Sequence, residues 1–261
     1  MLVLRLYEQS RTSLRRLMIL IETVFSGFWL GVLSRRSLFQ LDAAFYDKSD
    51  LYFTSEYNKK GLLKWEQEMV EKYFRSCQNL LLIGAGGGRE VFALQNMGYA
   101  VDAFECNPAL QESGNKFLAS KGLAPCIKVV ERDACPKGDS KYDGAIIGWG
   151  TYTLIQGADR RSDFLEAVRS QIGNEANILL SFFTRNGDSW QMKNIASIGN
   201  IIRFMLRRER LEIGDSLAPN YVHYFTEAEL SEEMDRAGFE LLYYSSKSYG
   251  HAIGRPKKAR V

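Results

Sequence analysis

Apolar positions change their spacing part-way along this chain, and the change divides it. Up to about residue 75 they recur at helical intervals. Residues 10–33 read as one long helix and 62–74 (LLKWEQEMVEKYF) as a shorter amphipathic one, with an aromatic, polar stretch at 45–58 between them. From Asn79 onward, short apolar runs alternate with helical segments, which is the pattern of a parallel sheet. Strands are predicted at 80–83, 100–104, 127–131, 144–148 and 177–183, and helices from the first strand to about Met97, at 108–120 and near 162–170. Residues 190–222 read as a mostly helical excursion. Thr226 is placed to cap a helix over 227–237, with Glu229 reciprocating and Gly238 ending it.

The last two apolar runs, 239–245 and 248–253, have about two residues between them. A parallel crossover needs a dozen or more, so this pair must be antiparallel. The expected architecture is α/β: a doubly wound seven-stranded sheet closed by a terminal hairpin, behind a helical N-terminal cap. The expected division is a cap at 1–75 and an α/β domain at 76–261, with 185–222 inserted on the substrate side.

The first strand runs straight into Gly84-Ala85-Gly86-Gly87-Gly88 and a helix. Glycines there allow positive φ and close backbone approach, and a helix start offers N–H groups. A dinucleotide fingerprint requires glycine three positions after the second one. That position holds Arg89, so the spacing is GxGxG. The second strand ends at Glu105, 21 residues after Gly84. A carboxylate there can accept two hydrogen bonds from a ribose diol. An exposed acid at a strand end is the plainer alternative, and Asp102 is the rival acid, pointed differently by strand alternation. Asp133 can accept from an adenine amino group while the Ala134 N–H donates to a ring nitrogen; a turn-initiating Asp is the alternative. Gly148-Trp149-Gly150 opens the floor of the site, and Trp149 either covers a ligand or packs in the core.

GAGGGRE, FECNP, RDA and YDGAIIGWG resemble the successive cofactor motifs of class I S-adenosylmethionine-dependent methyltransferases, over about 79–253. The terminal hairpin agrees with that resemblance, since the Rossmann-like sheet of this class ends so, whereas a dinucleotide-binding domain ends on a parallel strand. WLGVLSRRSL, EYNKKGLLKWE and LLSFFTR resemble, more weakly, a bacterial subgroup with a helical N-terminal cap. The resemblance implies S-adenosyl-L-methionine as cofactor. It assigns cofactor contacts to Gly84, Ala85, Gly86, Gly88 and Glu90, to Glu105, Cys106 and Asn107, and to Asp133, Ala134, Gly148 and Trp149. One departure is Leu82, which stands where many members carry an acid serving the methionine end; Tyr52, Tyr57, Asn58 or Arg89 are candidates to replace it. The NPPY signature of amino methylation on nucleobases is absent, and GWGTY occupies its place.

Methyl transfer from a sulfonium is an in-line displacement, for which a protein mainly supplies proximity, orientation and a dry site. A hydroxyl, phenol or ammonium acceptor also needs proton removal. Of the two histidines, His223 (in NYVHYFT) is the expected general base, with a structural role beside the Thr226 cap as the alternative. His251 lies in a predicted strand and reads as structural. Tyr152 is the second catalytic candidate. Tyr52, Tyr57, Arg160 and Trp190 are expected on the acceptor side, the aromatics as walls of a pocket and Arg160 as an anchor for a carboxylate or phosphate.

Composition narrows the partners. A net charge of +3 is too small to argue for nucleic acid or anionic membrane. The basic turn at 203–210 reads as a solvated helix face, with RNA methylation as a secondary reading. Cys77, Cys106, Cys126 and Cys135 form no CxxC pair and read as reduced thiols of a cytoplasmic protein without a metal site. Residues 17–33 are mostly apolar but fall short of the roughly 20 residues of a spanning helix and include Glu22. Packing on the domain, or lying over the active site, is expected of them, and peripheral membrane contact is the minority reading. The function expected is methyl transfer to an oxygen or nitrogen of a small-molecule or peptide acceptor. An NAD(P)-linked oxidoreductase and a noncatalytic cofactor-binding protein are the other readings carried forward.

Overall fold

The computed structural model describes residues 1–136, 141–217 and 219–258. In chain order the elements begin with α1 (Leu2–Val32), α2 (Arg35–Asp47), α3 (Asp50–Phe53), α4 (Ser55–Asn58) and α5 (Lys64–Tyr73). Next come β1 (Asn79–Ile83), α6 (Arg89–Asn96), β2 (Ala100–Glu105), α7 (Pro108–Ser120), β3 (Ile127–Val129) and β4 (Tyr142–Ile147). A 3-10 turn at Tyr152–Leu154 leads to α8 (Ala158–Gln171), β5 (Ile172–Thr184) and α9 (Trp190–Met205). The chain closes with β6 (Asp215–Leu217), β7 (Tyr221–Phe225), α10 (Glu227–Arg236), β8 (Phe239–Ser245) and β9 (Gly250–Pro256).

Packing divides the chain at other places than residue 75. Asp42–Thr184 and Phe225–Val261 form the larger unit, and Met1–Leu41 with Arg185–Tyr224 form the smaller. In the larger unit the strands run β3-β2-β1-β4-β5, all parallel. β9 then pairs antiparallel with β5, Leu179 opposite Ile253, and β8 pairs antiparallel with β9. These are the seven strands and the hairpin that the spacing predicts. Alternation along β1 feeds two separate cores. Leu80 and Leu82 pack with Met69 and Val70 of α5, Val91 and Leu94 of α6, and Leu118 of α7. Leu81 and Ile83 face Phe164 and Leu165 of α8 with Leu230 and Met234 of α10. Each fully buried Leu contributes about 1.5–3 kcal/mol, so both faces of the strand anchor the loop that follows it. The start of α10 is as expected: the Thr226 hydroxyl accepts from the Glu229 N–H (3.3 Å) and Glu229 Oε2 accepts from the Thr226 N–H (2.8 Å).

In the smaller unit α1 packs on α9 through small residues. A Cβ on Gly27 would lie 2.9 Å from Ile198 Cβ, and one on Gly31 would lie 2.8 Å from Ile202 Cβ. Both residue numbers rise together across these pairs, so the two helices run in the same direction. Leu30, Leu38, Ile195, Leu211 and Tyr221 make a small core beside them. Residues 190–222 are less helical than expected: α9 ends at Met205, and β6 and β7 form an antiparallel hairpin with Asp215 opposite His223. A three-residue strand has no room to show a period of two, which is why β6 left no pattern.

Candidate active site

The glycine loop is braced almost entirely from within. The Gly84 and Ala85 N–H groups both donate to the Phe104 carbonyl (2.8 and 3.0 Å), and Gly88 N–H donates to Ala85 O (2.9 Å). Gly86 N–H donates to Glu105 Oε2 at 2.8 Å. Four amides expected to meet a ligand are thus committed inside the protein. Gly84, Gly86 and Gly88 all have positive φ (81°, 52° and 91°), and Gly86 alone of the three would meet nothing within 4 Å if it carried a Cβ. The loop is open there and closed elsewhere: a Cβ on Gly87 would overlap the Tyr52 carbonyl, and one on Gly148 would overlap the Gly84 carbonyl.

Glu105 is the pivot. Besides Gly86 it accepts from the Asn107 N–H through Oε1 (2.8 Å), and burial pushes its carboxyl up from the ordinary range against those hydrogen bonds. Cys106 also hydrogen-bonds to it through its backbone and its thiol, so the carboxylate is held by the protein from several sides beside the open face of Gly86. Cys106, next along, has a thiol pushed up to about 12, by burial first and by Glu105 second. Asn107 is fully occupied as a helix cap: Oδ1 accepts from Ala109 and Leu110 N–H (2.9 and 3.1 Å), and Nδ2 donates to Asp47 (2.8 Å). Asp133 has φ of 60°, a conformation L-residues adopt rarely, and lies 3.9 Å from Arg132 Nε. Arg132 also pairs with the buried Asp42. Ala134 N–H donates to Glu131 O at 3.2 Å, so the donor expected for an adenine ring nitrogen closes a turn instead.

The largest departure from the sequence reading is Arg89. It is buried at the start of α6, where both of its terminal nitrogens reach Glu66 at 2.7 Å and Nη2 also reaches Glu90 at 2.6 Å; Nη1 donates to Gly61 O. Burial, countered by Arg89, leaves Glu66 raised above the ordinary carboxylate range. Glu90 Oε1 also lies 3.4 Å from the Trp149 N–H at the end of β4. Glu66 was not among the sequence candidates. Its only signal was the N3 position of a helix, where it accepts from the Leu63 N–H (2.6 Å).

Tyr52 and Tyr57 do come to this place. Their rings meet edge to face at 5.6 Å, and Arg89 lies 5.9 Å from the Tyr57 ring centre. Burial first, eased by Arg89, pushes the Tyr57 phenol up to about 12. Asn58 donates to Tyr52 O, while its own Oδ1, fully buried, has no hydrogen-bond partner. A crevice lined by Leu62, Trp65, Glu90, Gly148 and Trp149 adjoins the cluster. Trp65 stacks on His251 (4.7 Å) and Tyr249 (5.9 Å), and Tyr249 meets Trp149 at 5.3 Å. Trp149 Nε1 is buried without a partner.

Four expected residues are otherwise engaged or belong to the smaller unit. Tyr152 is fully buried, with its hydroxyl donating to Glu233 Oε2 at 2.6 Å. Glu233 is clasped by Arg161 (2.6 Å), so Tyr152 closes a core ion pair rather than facing an acceptor. Arg160 donates from Nε to Gln156 O (2.6 Å) in the turn before α8. His223 belongs to the smaller unit, buried, with Nδ1 2.8 Å from Asp215 and 3.8 Å from Glu212. Asp215 also accepts from the Tyr221 hydroxyl and the Glu212 N–H (2.7 and 2.9 Å). Burial would raise its carboxyl, but His223 and these donors hold it below the ordinary value. Trp190 stands at the start of α9 in that same unit, largely exposed.

No protein-family model matches the chain, and no curated protein matches it in sequence. Solved structures match it in fold. An S-adenosylmethionine-dependent methyltransferase from Methanosarcina mazei is 21% identical, covering 76% of this chain and 99% of its own, with a TM-score of 0.58. An amino pentose methyltransferase from Micromonospora echinaspora, involved in calicheamicin biosynthesis and solved with S-adenosylmethionine bound, is 13% identical over 78% of this chain and 95% of its own (TM-score 0.54). A glycopeptide N-methyltransferase in complex with S-adenosylmethionine is 17% identical over 73% and 92% (TM-score 0.52). The α/β, Rossmann-like fold of this chain is the fold of those methyltransferases.

Proposed function

We propose that the chain is an S-adenosylmethionine-dependent methyltransferase acting on an oxygen or nitrogen of a small-molecule or peptide acceptor. The observation that carries this reading is the chemistry of the glycine loop. A pyrophosphate needs backbone N–H donors directed at it. Here the amides of Gly84, Ala85, Gly86 and Gly88 are committed internally. Among the described residues, the charged groups around the loop and the end of β2 are the carboxylates of Glu66, Glu90, Glu105, Asp42 and Asp133 against the two cations Arg89 and Arg132. That surplus of negative charge suits a cationic ligand and opposes a dianionic one, which favours S-adenosylmethionine over a dinucleotide.

When bound, the cofactor supplies an electrophilic methyl group on a sulfonium that departs without acid assistance. The chain's own residues would do the rest. Glu105, already held by Gly86, Cys106 and Asn107, would share its lone pairs with the ribose hydroxyls, with Gly86 giving the clearance. Asp133 would serve the adenine amino group. Glu90, fixed by Arg89 and Glu66, would supply the carboxylate that Leu82 cannot, and Asn58 Oδ1 is a second acceptor beside the loop. The aromatic set of Trp65, Trp149 and Tyr249 would wall the acceptor and keep water away. The structural neighbours named above include enzymes described as methylating an amino pentose and a glycopeptide, which supports the class of acceptor.

Calorimetric titration tests the reading. The chain is expected to bind S-adenosylmethionine and S-adenosylhomocysteine and not NADH; the reverse preference would overturn it. Glu105→Gln should weaken S-adenosylhomocysteine binding roughly tenfold to a hundredfold, the loss of one or two charge-assisted hydrogen bonds. Unchanged affinity would mean the ribose is held by another group.

A further inference from the structure

The smaller unit displays on its surface what a protein ordinarily hides. On α1, Leu14, the adjacent pair Leu17 and Met18, Ile21, Phe25 and Phe28 recur at intervals of three and four, and all are exposed. That spacing lines them along one stripe of the helix. The opposite face, Thr23, Ser26, Gly27, Leu30 and Gly31, is the buried one. The helix is therefore inverted relative to an ordinary surface helix, with small and hydroxyl-bearing residues inside and bulky apolar ones outside. α9 repeats the feature at its end, where Ile201, Phe204 and Met205 are 64%, 84% and 68% exposed at the same spacing. Gly31 lies against Ile202, so the exposed Phe28 and Trp29 and the exposed Phe204 and Met205 occupy the same end of the helix pair.

Charge identifies the occupant. The overall +3 conceals an uneven division: the smaller unit carries twelve Lys and Arg against six Asp and Glu, and the larger carries twenty-two against twenty-five. Arg11 and Arg15 are exposed on α1, Arg35 and Arg36 at the start of α2, and Arg207 and Arg210 beyond α9. A second copy of the chain would bring these arginines against one another, which like charges resist. An anionic lipid surface accepts both the arginines and the apolar stripe. Lying on the surface also fits the helices better than crossing it. Among the described residues no single helix is long and apolar enough to span a membrane, and α1 and α2 qualify only as a pair bent by 119°.

We infer that the exposed apolar faces of α1 and α9, flanked by these arginines, seat on the surface of an anionic lipid bilayer. The inference concerns the smaller unit alone and is independent of the proposed methyl transfer.

Sedimentation of the full chain with vesicles tests it. Vesicles of phosphatidylcholine containing phosphatidylglycerol should carry the protein down, and vesicles of phosphatidylcholine alone should carry down much less. Phe25→Asp with Phe28→Asp should lower partitioning by at least about tenfold, and Arg11→Gln with Arg15→Gln by about fivefold or more at low salt. All four positions are exposed, so far-UV circular dichroism should be unchanged. Hydrogen exchange of the unsubstituted chain gives a readout that needs no variant: α1 amides should gain protection on adding the anionic vesicles. Absence of sedimentation and of protection would overturn the inference. So would equal binding to both vesicle types, or a solution dimer broken by the same phenylalanine substitutions without any vesicle binding.

Discussion

The two units of this chain both bury charge, the smaller at Asp215, His223 and Arg203, and part company over oil. The larger unit hides charge: Arg89 with Glu66 and Glu90, and Arg161 with Glu233, are buried and matched by short hydrogen bonds. The smaller unit hides glycine and hydroxyl groups between α1 and α9 and leaves phenylalanine, tryptophan and methionine outside. In the first, side-chain identity is dictated from inside the fold. In the second, the exposed residues contribute little to folding, so their chemistry answers to something outside it. The comparison separates residues that make the structure from residues that the structure presents.

The sharpest way to break that comparison is at Arg161. Arg161→Met leaves Glu233 and the Tyr152 hydroxyl buried without their cation, and should cost about 3–5 kcal/mol in urea unfolding. A loss below 1 kcal/mol would mean the ion pair is replaced by water. In the smaller unit the equivalent sensitivity should lie at a glycine. Gly27→Leu drives a side chain into Ile198 and should cost about 1–3 kcal/mol, read from the same titration. A titrating group gives a milder effect. Burial holds the His251 imidazole, stacked on Trp65, below its ordinary value of 6.5. The folded state then resists protonation, so this contribution is full above pH 6.5 and is lost as pH falls below it towards the lower folded value. His251→Gln should flatten the stability profile between neutral and mildly acidic pH relative to the parent chain; parallel profiles would show that the ring is not responsible. The smallest effect belongs to the exposed stripe. Phe204→Asp should leave stability within about 0.5 kcal/mol of the parent, and a larger loss would show that the residue belongs to the fold after all.

The legible parts of the sequence were those governed by local rules. The antiparallel β8–β9 pair followed from chain length alone, since no crossover fits between 245 and 250. The loop at Gly84 and the acid at Glu105 followed from glycine chemistry and distance along the chain. What stayed hidden depended on partners far apart in sequence. Arg89 could be recognised as wrong for a dinucleotide loop, but nothing local says that Glu66, 23 residues earlier, will bury it. Tyr152 was singled out for the chemistry of its tip, which Glu233, 81 residues away, engages; His223 is engaged by Asp215, close in sequence but across a hairpin whose first strand leaves no pattern. The basic turn after α9 is a similar case. Arg203 donates to Leu30 O (2.9 Å) and Arg208 donates to Val32 O, so two of its arginines cap the carbonyl end of α1.

Those two caps also set a timetable. Leu30 is 173 residues from Arg203, and Val32 is 176 from Arg208. During synthesis α1 leaves the ribosome while its packing partner, α9, has yet to be made. At about 5–20 residues per second the wait is on the order of 10–35 s. Throughout it both faces of the helix, the one meant for α9 and the one that stays outside, are bare on a nascent chain. Over that interval the apolar residues of α1 are shielded by nothing that the chain itself has yet supplied.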